Sequence, residues 1–170
     1  MGLITFAFGM GGPVASYAGL LHMTVHSLTK SAIFFAVGHA AQMAGTQIID
    51  DIKGLLRQSP TIGWGLMLGT LAILGMPPFG VFTSEFMILT TAIKHYPWAT
   101  PILLTALGVA FAAMFGMVQG MVFGKPTVRP LPHNPALLPV FAHLGLVLML
   151  GVWIPPYLAD WYRQAAKFIG

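Results

Sequence analysis

Apolar runs alternate with polar or proline-rich interruptions along the whole chain, and the interruptions mark the ends of predicted helices. A short run, Gly2–Met10, is closed by Gly11, Gly12 and Pro13. The first full run extends from Pro13 to about Gly45, with a proline suited to a first helical turn and a glycine suited to a helix end. It exceeds the roughly 20 residues that cross a bilayer, so this helix should tilt or protrude. Thr46–Pro60 is the most polar segment, a loop in which a short interfacial helix would carry Ile52, Leu55 and Leu56. The second apolar run, Thr61–Ile93, is interrupted by Gly75-Met76-Pro77-Pro78-Phe79-Gly80.

Proline lacks an amide donor and clashes with the preceding turn, so Pro77 and Pro78 break this helix in mid-membrane. Broken backbone at that depth is tolerated only where protein or a water-filled cavity satisfies it. Lys94–Pro97 then forms a turn, Trp98–Phe123 a third span rich in Ala, Gly and Met, and Gly124–Pro135 a proline-rich basic loop. The fourth span is Ala136–Ile154, ending in Pro155-Pro156. An amphipathic tail follows, Tyr157–Gly170, with Trp161 and Tyr162 as interface anchors beside Arg163 and Lys167. The expected fold is all-α and integral to a membrane: four transmembrane helices, the second broken at Pro77-Pro78, plus the remnant of a fifth at the N-terminus. MGLITFAFGMGGP lacks the basic region and cleavage site of a signal peptide. It reads as the tail of a helix that began earlier, and the chain as a C-terminal fragment begun at an internal methionine.

Composition agrees with the membrane assignment. Of 170 residues, 56 % are hydrophobic and 7 % charged, with a mean hydropathy of +0.81, whereas soluble domains carry about 25 % charged residues. The net charge of +4 is scattered, which fits loop charges facing lipid headgroups and not a nucleic-acid surface. Loops 46–60 and 124–135 hold Lys53, Arg57, Lys125 and Arg129, against Lys94, Arg163 and Lys167 on the opposite side, so the positive-inside tendency weakly places the first pair in the cytoplasm. The absence of cysteine excludes disulfides, thiolate zinc sites and iron–sulfur ligation within these residues. Any redox chemistry would take place in another subunit. No nucleotide-binding loop or catalytic triad is visible, and no cofactor is expected on this chain.

Within the first long run lie His22, His26 and Lys30, at i, i+4 and i+8. On a helix at about 100° per residue, each step drifts about 40° and rises about 6 Å, so the three form one stripe over roughly 12 Å of depth. A lysine near a bilayer centre costs on the order of 2.5–3.5 kcal/mol on insertion scales and needs a partner or water. Snorkelling reaches poorly from the middle of a span. Histidine at i, i+4 also suits a metal, but no third ligand lies near in sequence, and haem ligation needs groups facing across a pocket. Glu85, five residues past Gly80, is the only acid in any apolar run, and so the natural partner for Lys30. An intramembrane acid beside unwound backbone is the pattern of ion-transport sites, although a carboxylate there can also cap half-helix amides. His39 falls about 180° around the helix from Lys30, and reads as either a second-path residue or an interface residue. Gln119 and His143 read as interhelical hydrogen-bonding groups.

LLHMTVHSLTKSAIFFAVGHAAQMAGT followed by LAILGMPPFGVFTSEFMIL resembles the antiporter-like membrane subunits of respiratory complex I and their relatives. HSLTKSxxFFxxGH, PPFGxFxSEFxIL and the closing WIPPYLADWYRQAA are most similar to the hydrogenase-4 component F type, found in formate hydrogenlyase-like complexes with nickel–iron hydrogenases. The resemblance covers essentially the whole chain. It implies that His22, His26 and Lys30 belong to a polar chain through the mid-membrane plane, with Glu85 on the broken helix as its terminal protonatable residue. The family's fold contains inverted repeats, each with a broken helix. This chain would be the C-terminal part of one such domain, lacking the other repeat.

The expected function is proton or Na⁺ translocation as one subunit of a redox-driven respiratory or hydrogenase complex. Lys30 and Glu85 would change protonation in turn and His22 and His26 would relay, a histidine with an unperturbed pKa of about 6.5 being suited to that task. Implied partners are other membrane subunits, peripheral redox subunits and the lipid bilayer of a bacterial inner membrane. A subunit of a multisubunit Na⁺/H⁺ antiporter, or a structural piece that does not conduct, remain the alternatives.

Overall fold

The computed structural model describes residues 1–126 and 129–169. Thr127 and Val128 of the expected loop Gly124–Pro135, and Gly170 of the expected tail, lie outside the described residues. The elements are α1 (Gly2–Met10), α2 (Pro13–Ala44), a 3₁₀ turn (Ile49–Asp51), α3 (Leu55–Gln58), α4 (Pro60–Ile73), α5 (Gly80–His95), α6 (Ala99–Phe123), α7 (Leu138–Val152) and α8 (Pro156–Ile169). The described residues contain no strand, and the all-α expectation holds.

α2 is the axle of the fold, packed against α1, α4, α5, α7 and α8. Its start and end follow the sequence signals: Pro13 occupies the first turn, and Gly45 adopts the left-handed conformation with its amide donating to the Ala41 carbonyl. At 32 residues it is about 48 Å long, more than the roughly 30 Å of a hydrocarbon core. Ala18, Ala32, Ala36 and Ala40 on α2 are completely buried. Small side chains let neighbouring backbones approach closely, which is how helices associate where lipid is as apolar as leucine. Around Ala32–Met43 the core gathers Leu66 of α4, Val122 of α6 and Val140, Leu144 and Val147 of α7.

Ile52 and Leu55 join that core at 3 % and 0 % exposure. The polar loop thus folds inward under α4 and α6, with Ile52 and Leu55 as packing, while Ile48 and Ile49 of the same loop stay exposed. Tyr162 likewise turns inward from the tail. Its hydroxyl donates to Thr24 Oγ1 of α2 at 2.7 Å, while Trp161 stays exposed as expected of an anchor.

The expected break in the second apolar run is present. α4 stops at Ile73 and α5 starts at Gly80. Gly75, at φ 68°, closes α4: its amide donates to the Ala72 carbonyl and the Met76 amide to Leu71. That paired pattern is a Schellman end, and the positive φ is why glycine stands there. The broken segment then rests on α7. A Cβ built on Gly151 would collide with the Pro78 carbonyl and come within 2.6 Å of the Gly80 nitrogen. The Thr83 hydroxyl donates to the Gly151 carbonyl at 3.2 Å.

α2 and α6 are each long and apolar enough to cross a membrane, and α7 with α8, bent by 75° at their junction, make up to a third candidate. A multi-pass membrane protein follows. α6 is the most exposed of the long helices, with burial confined to its two ends.

Gly151→Ala should therefore unseat the break and destabilise the protein by about 1–3 kcal/mol. Gly145→Ala, on the same helix with no atom within 4 Å of the added methyl, should be neutral or slightly stabilising. Unfolding midpoints in detergent would check the pair; equal effects would remove the seat from the account.

Candidate functional site

Each expected site residue is placed by its angle on α2 or by its distance from the break. His22 is 2 % exposed and faces α5, where its Nδ1 lies 2.8 Å from Ser84 Oγ. The Ser84 hydroxyl donates to the Val81 carbonyl at 2.9 Å, so its proton is committed. His22 Nδ1–H is therefore the donor to Ser84, which leaves Nε2 as the nitrogen open to receive a proton. His26 stacks on His22, ring centroids 5.5 Å apart and 29° between planes. Its Nε2 is buried without a hydrogen-bond partner. A buried unpartnered imidazole nitrogen is costly, and it leaves one ring nitrogen whose hydrogen-bonding capacity is not already taken up.

Lys30 ends the stripe. The two 40° steps from His22 carry it away from α5 to the face shared with α4 and α6, where it is exposed. Its Nζ stands 5.8 Å from the centroid of the Phe34 ring. It lines a cleft of about 260 Å³ whose other polar wall residue is Thr70.

Glu85 is half-buried on α5 and leans back over the break, its carboxylate against Gly75, where a Cβ would strike Oε2. It lines a second cleft of about 300 Å³ with Ile73, Leu74 and the α6 residues Leu104, Leu107 and Phe111. No hydrogen bond or ion pair joins Lys30 to Glu85 among the described residues, so the direct partnering expected from their charges is not made. The drift of the stripe and the end of α4 account for this.

His39 lies on the other side of α2, as its angle required. Its Nε2–H donates to the Ala136 carbonyl at 3.2 Å, and its Nδ1 accepts from His133 Nε2–H at 3.1 Å. It holds the proline-rich loop, away from His22 and Glu85. Among the described residues His143 bonds no neighbouring helix: Nδ1–H donates to the Pro139 carbonyl of its own helix at 2.6 Å, and the ring packs on Phe35 of α2. Gln119 is exposed on α6. Among the described residues, no three His, Cys, Asp or Glu side chains gather as a metal site would need.

Ser84 is the site residue that sequence reasoning missed. Its signal was present, a small hydroxyl residue directly before the one acid of the apolar runs, but its partner lies 62 positions away.

Ser84→Ala should leave the His22 Nδ1–H buried and unpaired, costing about 1–3 kcal/mol. It should also let His22 populate both tautomers. ¹⁵N imidazole shifts of labelled histidine would check this; an unchanged single tautomer would show that Ser84 does not fix it.

The family described as "NADH:quinone oxidoreductase/Mrp antiporter, TM" matches residues 1–117. A hydrogenase-4 component F homolog of Methylacidiphilum infernorum (isolate V4) is 46 % identical over 169 residues, which are 99 % of this chain and 36 % of that protein. A Na⁺/H⁺ antiporter protein of Bacillus subtilis (strain 168) is 27 % identical over 93 % of this chain and 34 % of its own length. In respiratory complex I from Thermus thermophilus, a chain superposes with a TM-score of 0.82 at 22 % identity, covering 100 % of this chain and 37 % of that one. A chain of the Mrp complex from Dietzia sp. DQ12-45-1b gives 0.77 at 18 % identity, over 94 % and 39 %. The chain thus spans about a third of the length of these relatives (36 % and 34 %). With the family matched over residues 1–117 and a relative 46 % identical over 99 % of the chain, this chain belongs to the NADH:quinone oxidoreductase/Mrp antiporter membrane family.

Proposed function

We propose that this chain is the C-terminal part of a proton-translocating membrane subunit in a redox-driven complex of the hydrogenase-4 or formate hydrogenlyase type. α4 and α5 together cross the membrane as one broken span. With α2, α6 and α7 they make four spans, and α1 is the remnant of a fifth, in a bacterial inner membrane. The observation that carries this reading is Glu85: a lone intramembrane acid, half-buried over unwound backbone, with His22 bonded to the adjoining Ser84. An acid at such a position is costly unless it serves a site.

In the mechanism, His22 Nε2 and the unpartnered His26 Nε2 are acceptors along α2, and Lys30 gains and loses a proton at the exposed end of the stripe. Glu85 exchanges protons on the side of the break. Other membrane subunits and peripheral redox subunits complete the complex. The similarity to a hydrogenase-4 component F homolog supports this branch. The similarity to a Na⁺/H⁺ antiporter protein supports the second reading, one subunit of a multisubunit antiporter. Both readings place the same residues on the ion route. They separate on whether flux follows electron transfer or a Na⁺ gradient.

Glu85→Gln keeps size and hydrogen bonding but removes titration. In vesicles holding the assembled complex, proton flux per electron should fall by roughly tenfold or more. Glu85→Asp, which draws the carboxyl back by one methylene, should be intermediate. Wild-type coupling in the Gln variant would remove Glu85 from the mechanism. Equal loss of assembled complex in both variants would make it a cap for the broken helix.

A further inference from the structure

The Lys30 cleft and the Glu85 cleft have one wall in common. Ile73, the last helical residue of α4, lines both. The clefts also follow each other along α6. Met114, Met117 and Met121 border the first, and Leu104, Leu107 and Phe111 border the second. Apart from Lys30 and Thr70 in one and Glu85 in the other, the linings are apolar.

We propose that Ile73 is a hydrophobic gate between the two clefts, setting when a proton can pass between Lys30 and Glu85. The proposal rests on the reading of those two residues as proton carriers. For each transfer, one proton leaves the Lys30 ammonium as it becomes an amine, and one arrives on the Glu85 carboxylate as it becomes an acid. That path needs an unbroken file of hydrogen-bonding groups, each about 2.5–3.2 Å from the next. An isoleucine side chain supplies neither donor nor acceptor. While it separates the clefts the file is interrupted, and apolar constrictions of this kind gate by shedding water.

The position also says how the gate would open. Isoleucine in a helix has one strongly preferred χ1, so the side chain does not readily swing aside by itself. Opening is instead a displacement of the last turn of α4. That turn is not continued into the next helix: Gly75 closes it in the left-handed conformation, and α5 begins separately at Gly80. The carboxylate of Glu85 lies directly against Gly75. A change in its charge is thus felt at the backbone that carries Ile73, two residues away. Gate and carrier are coupled through that contact.

Ile73→Thr, Ile73→Val and Ile73→Phe test this in vesicles holding the complete complex, normalised to assembled protein. Threonine and valine have the same shape and differ by one hydroxyl. Ile73→Thr should raise the passive proton leak of unenergised vesicles roughly tenfold, while Ile73→Val leaks like wild type. Ile73→Phe should lower coupled flux several-fold without a leak. A leak equal in the Thr and Val variants, or none in either while Glu85→Gln still abolishes coupled pumping, overturns the gate and spares the Glu85 reading. Adding Glu85→Gln to Ile73→Thr should abolish the leak. A leak that survives in the double variant overturns the Glu85 route, and with it a gate between these two residues. Should Ile73→Thr fail to accumulate, Ile73→Phe decides: reduced coupled flux supports the gate, and wild-type flux overturns it.

Discussion

Backbone meets backbone where the Pro78–Gly80 segment lies on Gly151 of α7, with no side chain between them. In the proposed arrangement, where α4 and α5 form one broken span, the break would leave amides and carbonyls that lipid cannot satisfy, so protein has to cover it. Here the cover is α7, with Thr83 donating to the Gly151 carbonyl. On the inner side, Gly80 faces Val25 of α2, where a Cβ would approach to 2.8 Å. The absence of a side chain at both glycines brings α5 close to α2 and α7 together. That closeness sets Ser84 within hydrogen-bond distance of His22 and turns Glu85 back over Gly75.

α2 distributes chemistry to different neighbours by its pitch alone. Residues four apart drift by about 40°, so a stripe that begins against α5 ends against α4 and α6. His22 is buried and bonded, His26 is stacked with one nitrogen unpartnered, and Lys30 is exposed beside Phe34. Protonatable groups thus pass from a closed environment to an open one along about 12 Å of helix. The end of α4 stands between this open end and Glu85.

Much of this was legible in the sequence because it depends on local chemistry. The helix limits at Pro13, Gly45, Gly75 and Pro156 follow from what proline and glycine do to a backbone. The common stripe of His22, His26 and Lys30 follows from spacing. What was not legible depends on tertiary register. Charge alone suggested that Lys30 would seek Glu85, yet the helices place them in separate clefts. Ile52 and Leu55 looked interfacial because the residues around them are polar, and the fold buries them instead. Tyr162 looked like an anchor, but α8 packs on α2 and brings its hydroxyl to Thr24. Ser84 carried no period or motif of its own, and only its approach to His22 gives it a role.

The central claim is that the Glu85 carboxyl gains and loses a proton during turnover. Infrared difference spectroscopy of the assembled complex, triggered by electron input, reads that event directly. The account predicts a protonated-carboxyl band that appears or disappears with turnover, shifts when glutamate is isotopically labelled, and is missing in Glu85→Gln. A carboxyl region that is the same in wild type and in Glu85→Gln through turnover would contradict it.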